Sequence, residues 1–556
     1  MSLIRLLPFA ALAFAGPVSA QHDTHAPAPR ATVADWAKGA RLFGGLGGFH
    51  RPVTTASTEA QRYFDQGMRF VWAFNHDEAT RSFAKAAELD PKCASCYWGV
   101  ALTLGPNYNM PLMAEPRARA GWEALGKAQA NAAAATPVEQ ALIAALAKRF
   151  DGPKPLDPSN SAPLLAAYVT AMEEVARRFP GDMDVQTMLA EGLMNTNPWK
   201  LWTADGHPGP GTPAILAALQ KVLARDPKHP GANHYWIHAV EASTDPGRAI
   251  PSAETLVGMM PGAGHLEHMP AHIFQRVGRY EESAEANRKG AAADVAYLAL
   301  TAPPDYYPMY LIHNYQFLAY SAAMEGRRAE TVDALRQARA AVPDSMLLAM
   351  PGLDWSIGYL YDGLARFGRW DEILAEPAPD PRLAGLNIAW LQARATALAA
   401  KGRPTEAKAL LPELDRAIAA VPADATQGQN AARPLYEIGA LKAKARIALA
   451  EGRREAAVAH LREAVAKEDR LSYNEPSDEF FPVRHLLGAA LLDSGRAAEA
   501  EAVYRDDLKR QPGNGWALRG LAAALAAQGK GEAGSVRLQF EDSWRNADTA
   551  LSTSAF

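Results

Sequence analysis

From about residue 59 onward, apolar residues recur at three- and four-residue spacing, which is the period of an amphipathic α-helix. Glycine or proline stands between nearly all of these segments and marks the turns that join them. The pattern therefore predicts an all-α chain in which short helices follow one another in series.

Two consecutive predicted helices, in QGMRFVWAFNHDEATRSFAKAAELDP (residues 66–91), show the order of small, aromatic and proline residues that is typical of a tetratricopeptide repeat. The positions concerned are Gly67, Phe70, Ala79, Phe83, Ala86 and Pro91. In such a repeat glycine permits the turn between two helices, alanine lets their backbones approach, and proline ends the second helix.

Similar turns recur further along the chain at Gly278, Gly326, Gly368, Gly402, Gly452 and Gly495. Only the interval from Gly368 to Gly402 equals the 34 residues of a standard repeat, so loops or longer helices must be inserted elsewhere. We therefore predict a solenoid (superhelix) of TPR-type helical hairpins with inserted loops.

The first twenty residues, MSLIRLLPFAALAFAGPVSA, combine one arginine, an apolar run and a small-residue ending, as a cleaved secretory signal does. We predict a signal peptide at 1–20, a linker or packed arm at 21–58, an N-terminal TPR-like region with a histidine cluster at 59–345, and a C-terminal TPR-like region at 346–556. The expected location is periplasmic or secreted. No later stretch has the eighteen uninterrupted apolar residues of a membrane span.

The charge balance, 57 Lys and Arg against 61 Asp and Glu without a basic block, argues against nucleic acid or anionic lipid as partners. The two cysteines, Cys93 and Cys96, could close a small disulfide or supply two thiolates to a metal. Their surroundings suit neither thioredoxin-like chemistry nor a c-type haem, which favours a structural pair.

Histidine is concentrated in one part of the sequence: five of the fourteen lie between His234 and His272, where an even distribution would place about one. In ANHYWIHAVEAS, His234, His238 and Glu241 have the spacing i, i+4, i+7 and share one face of a helix.

The stretch GHLEHMPAHIF (residues 264–274) contains three more histidines. Gly262 and Gly264 argue against helix at its start, whereas Pro270 suits a first helical position. This places His265 in a loop, His268 just before the helix, and His272 in its first turn. The remaining candidate, His313, lies near the start of a helix that follows Pro308.

These imidazoles are candidate ligands of copper, iron or zinc, the metals that imidazole-rich sites favour. We predict His238, His268, His272 and His313 as ligands, with His234, Glu241 and His265 as second choices. The alternative is structural: histidine also stacks on Tyr and Trp, and it satisfies buried backbone carbonyls.

The phrases FNHDEATRSFAKAAELDP, NHYWIHAVEAS, HMPAHIFQRVGRYEES and FPVRHLLGAALLDSGR resemble an uncharacterised group of exported bacterial tetratricopeptide-repeat (TPR) proteins. The broader resemblance to secreted TPR proteins covers most of residues 59–535. It implies an α-helical superhelix whose concave face binds a peptide or protein, and it implies no reaction.

Three hypotheses for the function follow. The first is a binding scaffold with a transition-metal site in its groove and a peptide, protein or small molecule as partner. The second is a periplasmic metalloenzyme, oxidative with copper or iron or hydrolytic with zinc, in which Glu241 or Glu267 acts as base. The third is a metal-free interaction module. An enclosed site, with a loop such as 195–213 folded over the ion, would favour the enzyme.

Overall fold

The computed structural model describes residues 30–301, 307–350 and 352–556. The predicted signal peptide and residues 21–29 of the predicted arm lie outside the described residues. The described parts of the chain contain α-helices, three short 3-10 helices (Ala132–Ala134, Ala147–Arg149 and Pro246–Ala249) and one small antiparallel ribbon of two strands, β1 (Thr426–Gln427) and β2 (Asn430–Ala431).

The helices up to residue 300 are α1 (Val33–Ala37), α2 (Thr58–Trp72), α3 (His76–Leu89), α4 (Ala94–Leu104), α5 (Glu115–Asn131), α6 (Pro137–Leu146), α7 (Ala162–Arg178), α8 (Met183–Met194), α9 (Thr212–Leu223), α10 (Pro230–Val240), α11 (Ile250–Leu256), α12 (Gly264–His268), α13 (Pro270–Arg276) and α14 (Tyr280–Leu300). Those that follow are α15 (Pro308–Met324), α16 (Arg328–Ala340), α17 (Asp344–Ala349), α18 (Leu353–Ile357), α19 (Tyr359–Arg366), α20 (Trp370–Ala375), α21 (Ala384–Ala400), α22 (Pro404–Ala420), α23 (Ala432–Ala450), α24 (Arg454–Glu468), α25 (Val483–Asp493), α26 (Ala497–Arg510), α27 (Gly515–Ala527) and α28 (Ala533–Ser543).

Consecutive helices pack on one another as hairpins, which confirms the predicted all-α, TPR-type fold. Each of the six predicted turn glycines has a positive φ between 65° and 80°, a conformation that other residues adopt only with strain. In the first hairpin, α2 and α3 meet where Gly67 faces Phe83, and an added Cβ on Gly67 would lie 2.5 Å from the phenylalanine ring. The small-to-aromatic pairing of the repeat motif is therefore a packing contact.

The buried apolar side chains form two main clusters. One extends from Val33 to Tyr310 and the other from Tyr280 to Leu551, so the two overlap in sequence around α14 and α15. In the described parts of the chain, none of the helices combines the length and the apolar composition that crossing a membrane requires.

The structure at α12 differs from the prediction, because Gly264 begins a helix instead of preventing one. A Cβ on Gly264 would collide with the carboxylate of Asp294, and one on Gly262 would collide with the backbone oxygen of Gly44. Both glycines permit close approach: Gly262 N–H donates to Gly45 O at 2.8 Å, so the arm before α2 packs on this segment. Gly262 does lie in the turn before the helix, but the predicted placement of His265 in a loop and of His268 before the helix is wrong, because both belong to α12.

Cys93 and Cys96 form a disulfide with an S–S distance of 2.04 Å. Cys93 is the N-cap residue of α4, and both sulfur atoms are buried within the first of the two apolar clusters.

Candidate metal centre

Six histidines from four helices converge in the interior of the N-terminal part of the molecule. They come from α10, α12, α13 and α15, and α12 and α13 are joined by Met269, whose backbone is itself helical. Two sets of three have their donor atoms within 4.8 Å of one another: His234, His238 and His265, here triad A, and His268, His272 and His313, here triad B. All are buried except His313, which is partly exposed.

In triad A the outer ring nitrogens are held by hydrogen-bond acceptors. His234 Nδ1 lies 2.6 Å from the carbonyl oxygen of Trp72, and His238 Nδ1 lies 2.9 Å from Glu241 Oε1. Because these oxygens only accept, each Nδ1 carries the hydrogen and each Nε2 has a free lone pair. Neither Nε2 has a hydrogen-bond partner among the described residues, and the same is true of both ring nitrogens of His265.

Triad B has a similar arrangement around His268. Its Nδ1 lies 2.6 Å from Asn287 Oδ1, and Asn287 Nδ2 donates to the Ser283 carbonyl at 2.7 Å, which fixes the orientation of the amide. The Nε2 of His268 therefore has the free lone pair, and it lies 2.6 Å from His272 Nε2. His272 is the donor in this contact.

Glu241 connects the two triads. Its Oε1 contacts His238 of triad A, and its Oε2 lies 2.8 Å from Nδ1 of His272 in triad B. Both imidazoles direct Nδ1 to this carboxylate. Nε2 of His238 is thereby left for another ligand, whereas Nε2 of His272 donates to His268 and becomes a ligand atom only when it loses that proton. A third set of clustered donors, His238, Glu241 and His272, is accounted for by these two contacts.

A second carboxylate reaches triad B from a distant part of the sequence. Glu475, in the loop between α24 and α25, forms an ion pair with Nδ1 of His272. The Arg276 guanidinium lies over the ring of Tyr473, 5.1 Å from its centroid, and so packs the same loop on α13. The loop thereby links the C-terminal hairpins to the histidine cluster.

Burial and neighbouring charges act in opposite directions on these groups. Burial lowers the pKa of His238 to about 3 and holds the pKa values of His234, His265, His268 and His313 well below the ordinary range. Burial also disfavours the cation at His272, but the carboxylates of Glu475 and Glu241 raise its pKa to about 10. Five of the six imidazoles are therefore neutral, the state in which histidine binds metals.

Aromatic side chains enclose the cluster. Tyr108 and Trp199, from the inserted segments after α4 and α8, have ring centroids 5.5 and 5.6 Å from that of His238. Tyr310 lies 4.5 Å from His265, and Phe317 lies 4.8 Å from His272. Trp199 belongs to the 195–213 segment, which the sequence analysis singled out as a cover for the site.

The structure brings together all four first-choice ligands and all three second choices, distributed over the two triads and Glu241. Glu267, the other candidate base, is placed elsewhere: it lines a separate surface cavity with Glu254 and Lys289. The roles of the Trp72 carbonyl and Asn287 were not predicted, because a single backbone acceptor or amide has no sequence signature. Glu475 stood in a polar loop, YNEPSDEFFPVRH, but nothing in the sequence connected that loop to the histidines.

The donor set suits a transition metal, because neutral imidazole is a ligand for copper, zinc, iron and nickel. A carboxylate or carbonyl oxygen behind the imidazole is also the usual arrangement around histidine ligands, since it fixes the ring and increases its basicity. The described residues therefore contain clusters that could hold a metal ion, and the donor set does not select one metal.

Comparison with models of protein families finds no match, and no curated protein matches the sequence significantly. Among solved structures, the chain is similar to the APC/C hetero-tetramer Cut9-Hcn1 at 14% identity and a TM-score of 0.31, over 92% of this chain and 79% of that one. It is also similar to a human IFIT1 dimer with m7Gppp-AAAA, at 12% identity and a TM-score of 0.31, over 89% and 92% of the two chains. A third is Naa15/Naa10 bound to HypK-THB, at 15% identity and a TM-score of 0.24, over 87% and 71%. Similarities at these values indicate no ligand and no reaction for this chain.

Proposed function

We propose that the protein binds a transition metal through the buried histidine cluster, within a TPR-like scaffold. The observation that carries this proposal is the orientation of three imidazoles. His234, His238 and His268 each have Nδ1 held by an acceptor, so that Nε2 presents its lone pair inside the cluster.

The unpaired nitrogens destabilise the metal-free protein. Leaving a buried polar group without a hydrogen bond costs about 1–3 kcal/mol. His234 Nε2, His238 Nε2 and both nitrogens of His265 are such groups among the described residues. A metal ion would bind one lone pair from each of the three imidazoles at once, which no arrangement of neutral imidazoles alone achieves.

The test is metal analysis of the full chain, purified without chelator, by inductively coupled plasma mass spectrometry. A His268→Ala/His272→Ala variant removes two candidate ligands, and His207→Ala is the matched control because His207 is exposed and is not one of the clustered donors. We expect at least one equivalent of copper, iron or zinc in the wild type and the control, and a lower metal content in the double variant. A wild type that stays metal-free after incubation with each ion would contradict the proposal.

A metalloenzyme is the second candidate function, and the enclosure by Tyr108 and Trp199 favours it over an open scaffold site. In this version neither predicted glutamate is a free base, because Glu241 is engaged by two imidazoles and Glu267 lies at the surface cavity. Screening the metal-loaded protein for oxygen consumption and ester hydrolysis tests it. Activity that is absent from the His268→Ala/His272→Ala variant is the expected result, and no activity in either screen would contradict this candidate.

We also infer a ligand site in the C-terminal half, in a cavity of about 440 Å³ lined by residues of α19, α21, α23 and α25. Arg446 lines it, with its guanidinium 5.5 Å from the centroid of the Trp370 ring. Among the described residues it has no hydrogen bond or ion pair, and burial lowers its pKa. A half-buried guanidinium in this situation favours a ligand with a carboxylate, such as an acidic peptide.

Binding of short acidic peptides, compared with their amide analogues, tests this site. Arg446→Leu is the variant, and Arg454→Leu is the control because Arg454 lines the same cavity but is paired with Asp493. We expect the acidic peptides to bind the wild type and the Arg454→Leu control but not Arg446→Leu, and we expect the amide analogues to bind none of the three. Binding that is unchanged in Arg446→Leu would contradict the assignment.

Export remains part of the proposal. Its support is the sequence of residues 1–20 together with the Cys93–Cys96 disulfide, since disulfides persist in oxidising compartments. Intact-mass analysis of protein from the exported fraction should give a chain beginning near Gln21. A mass that retains residues 1–20 would contradict cleavage.

A further inference from the structure

Triad A and triad B share no residue, although they lie side by side. The ring centroids of His238 and His272 are 5.6 Å apart, and those of His265 and His268 are 5.8 Å apart. Separations within each triad are similar, from 4.5 Å for His268 and His272 to 6.0 Å for His238 and His265. The cluster is thus continuous as packed rings but divided into two sets of donor atoms.

One ion cannot use all six imidazoles in the usual geometry of zinc or copper sites. Zinc has four ligands in most sites, with Zn–N bonds of about 2.0–2.1 Å. In the described residues, the only three-donor set that mixes the triads is His238, Glu241 and His272, which is held together by the carboxylate. Each triad by itself provides the three protein ligands of an ion with an open position.

Glu241 gives the two triads a common support. It accepts from Nδ1 of His238 through one oxygen and contacts Nδ1 of His272 through the other. The single carboxylate therefore directs one Nε2 of each triad into the shared interior. A carboxylate behind a histidine ligand fixes the orientation of the ring, and here one carboxylate lies behind a candidate ligand of each triad.

We propose that the cluster binds two transition-metal ions next to each other, triad A holding one and triad B the other. This inference rests on the proposed metal binding and specifies its stoichiometry. It also gives the enclosed site an open position on each of two adjacent ions, which is the arrangement that binds one small ligand between two metals.

The experiment titrates the metal-free full chain with Cu(II) and, separately, with Zn(II), and counts bound ions by mass spectrometry after desalting. His234→Ala/His265→Ala removes triad A, His268→Ala/His313→Ala removes triad B, and all four changes together remove both. The expected result is two ions in the wild type, one in each double variant and none in the fourfold variant. One ion in the wild type would overturn the pair and leave the proposed metal binding intact, whereas none would overturn both.

Electron paramagnetic resonance of the copper-loaded wild type gives a readout that does not depend on how the variants fold. Two adjacent Cu(II) ions are expected to give a half-field transition, or a signal intensity below the copper content measured by mass spectrometry. A double variant that folds should give the full, isolated signal of one ion. Full intensity without a half-field transition in the wild type would show that the ions are not neighbours and would overturn the proposal.

Discussion

Buried histidines occur in both halves of the molecule, but among the described residues only those of the N-terminal half have ring nitrogens without a hydrogen-bond partner. In the C-terminal half, His485 Nε2 donates to Asp507 Oδ2 at 2.8 Å, and its Nδ1 accepts from Arg366 Nη2 at 2.7 Å. In the N-terminal half, His238 has one nitrogen held by Glu241 and the other unpaired among the described residues. Both ring nitrogens of His485 are thus hydrogen-bonded within the protein, as expected for a structural residue. Triad A instead has ring nitrogens that a metal ion could bind.

The two halves also differ in what their irregular segments contribute. In the N-terminal half, the insertions that contain Tyr108 and Trp199 cover the histidines. In the C-terminal half, the hairpins leave a cavity that contains Arg446, and the inserted loop with Glu475 reaches across to triad B. The unpartnered ring nitrogens of triad A therefore distinguish its histidines from His485, although all of them are buried.

Metal removal should produce the largest change in stability. At free metal about a thousandfold above Kd, bound metal contributes about 4 kcal/mol to the free energy of unfolding. Chelation should therefore lower the thermal midpoint by several degrees, and restored metal should reverse the change, as measured by differential scanning calorimetry. A thermal midpoint that does not respond to chelator or metal would show that the histidines of the N-terminal half do not bind a stabilising metal.

His485→Ala tests the structural histidine. It leaves Arg366 and Asp507 buried without their common partner, which should lower the free energy of unfolding by about 3 kcal/mol. Metal content should stay at the wild-type level. Denaturant unfolding and metal analysis of the same sample measure both quantities. A loss of metal from the folded variant would contradict the distinction between a structural His485 and the metal-binding histidines.

Glu241→Gln tests the carboxylate between the triads. The amide cannot accept from both imidazoles as the carboxylate does, so we expect metal affinity to fall by about 10- to 100-fold. Glu267→Gln is the matched control, because Glu267 lies at the surface cavity. Competition titration with a chromogenic chelator measures the affinities, and equal affinity in the two variants would show that Glu241 does not orient the ligands.

Glu475→Gln should have the smallest effect, because the ion pair of Glu475 within the described residues is with His272, and Glu241 still contacts that imidazole. We expect about a tenfold loss of affinity, confined to the ion in triad B. The competition titration should then resolve one weakened and one unchanged site. An equal loss at both sites would mean that the C-terminal loop supports the cluster as a whole.

Much of the fold could be predicted from local sequence, because turn glycines such as Gly326 and Gly452 adopt the positive φ that the repeat requires. The wrong prediction at α12 has a physical cause. Gly264 is needed because any larger residue would collide with Asp294, which is thirty residues away in the sequence, so no local pattern indicates the contact. A glycine that serves packing and one that ends a helix are alike in a single sequence.

For the candidate site, the residue types and the helical spacing of the ligands could be predicted from the sequence. His234 and His238 are one turn apart, and the spacing of His265, His268 and His272 fits one stripe once α12 and α13 are nearly continuous. The division into two triads, the partners Asn287 and Trp72, and the contact with Glu475 depend on tertiary packing. They could not be read from the order of residues.

X-ray absorption spectroscopy of the metal that copurifies with the full chain is the sharpest test of imidazole coordination, because it reports the ligands themselves. The buried triads predict a shell of nitrogen atoms with the multiple scattering of about three imidazoles per ion and no sulfur. A shell without imidazole scattering, or a protein that contains no metal above trace after incubation with copper, iron and zinc, would contradict the account.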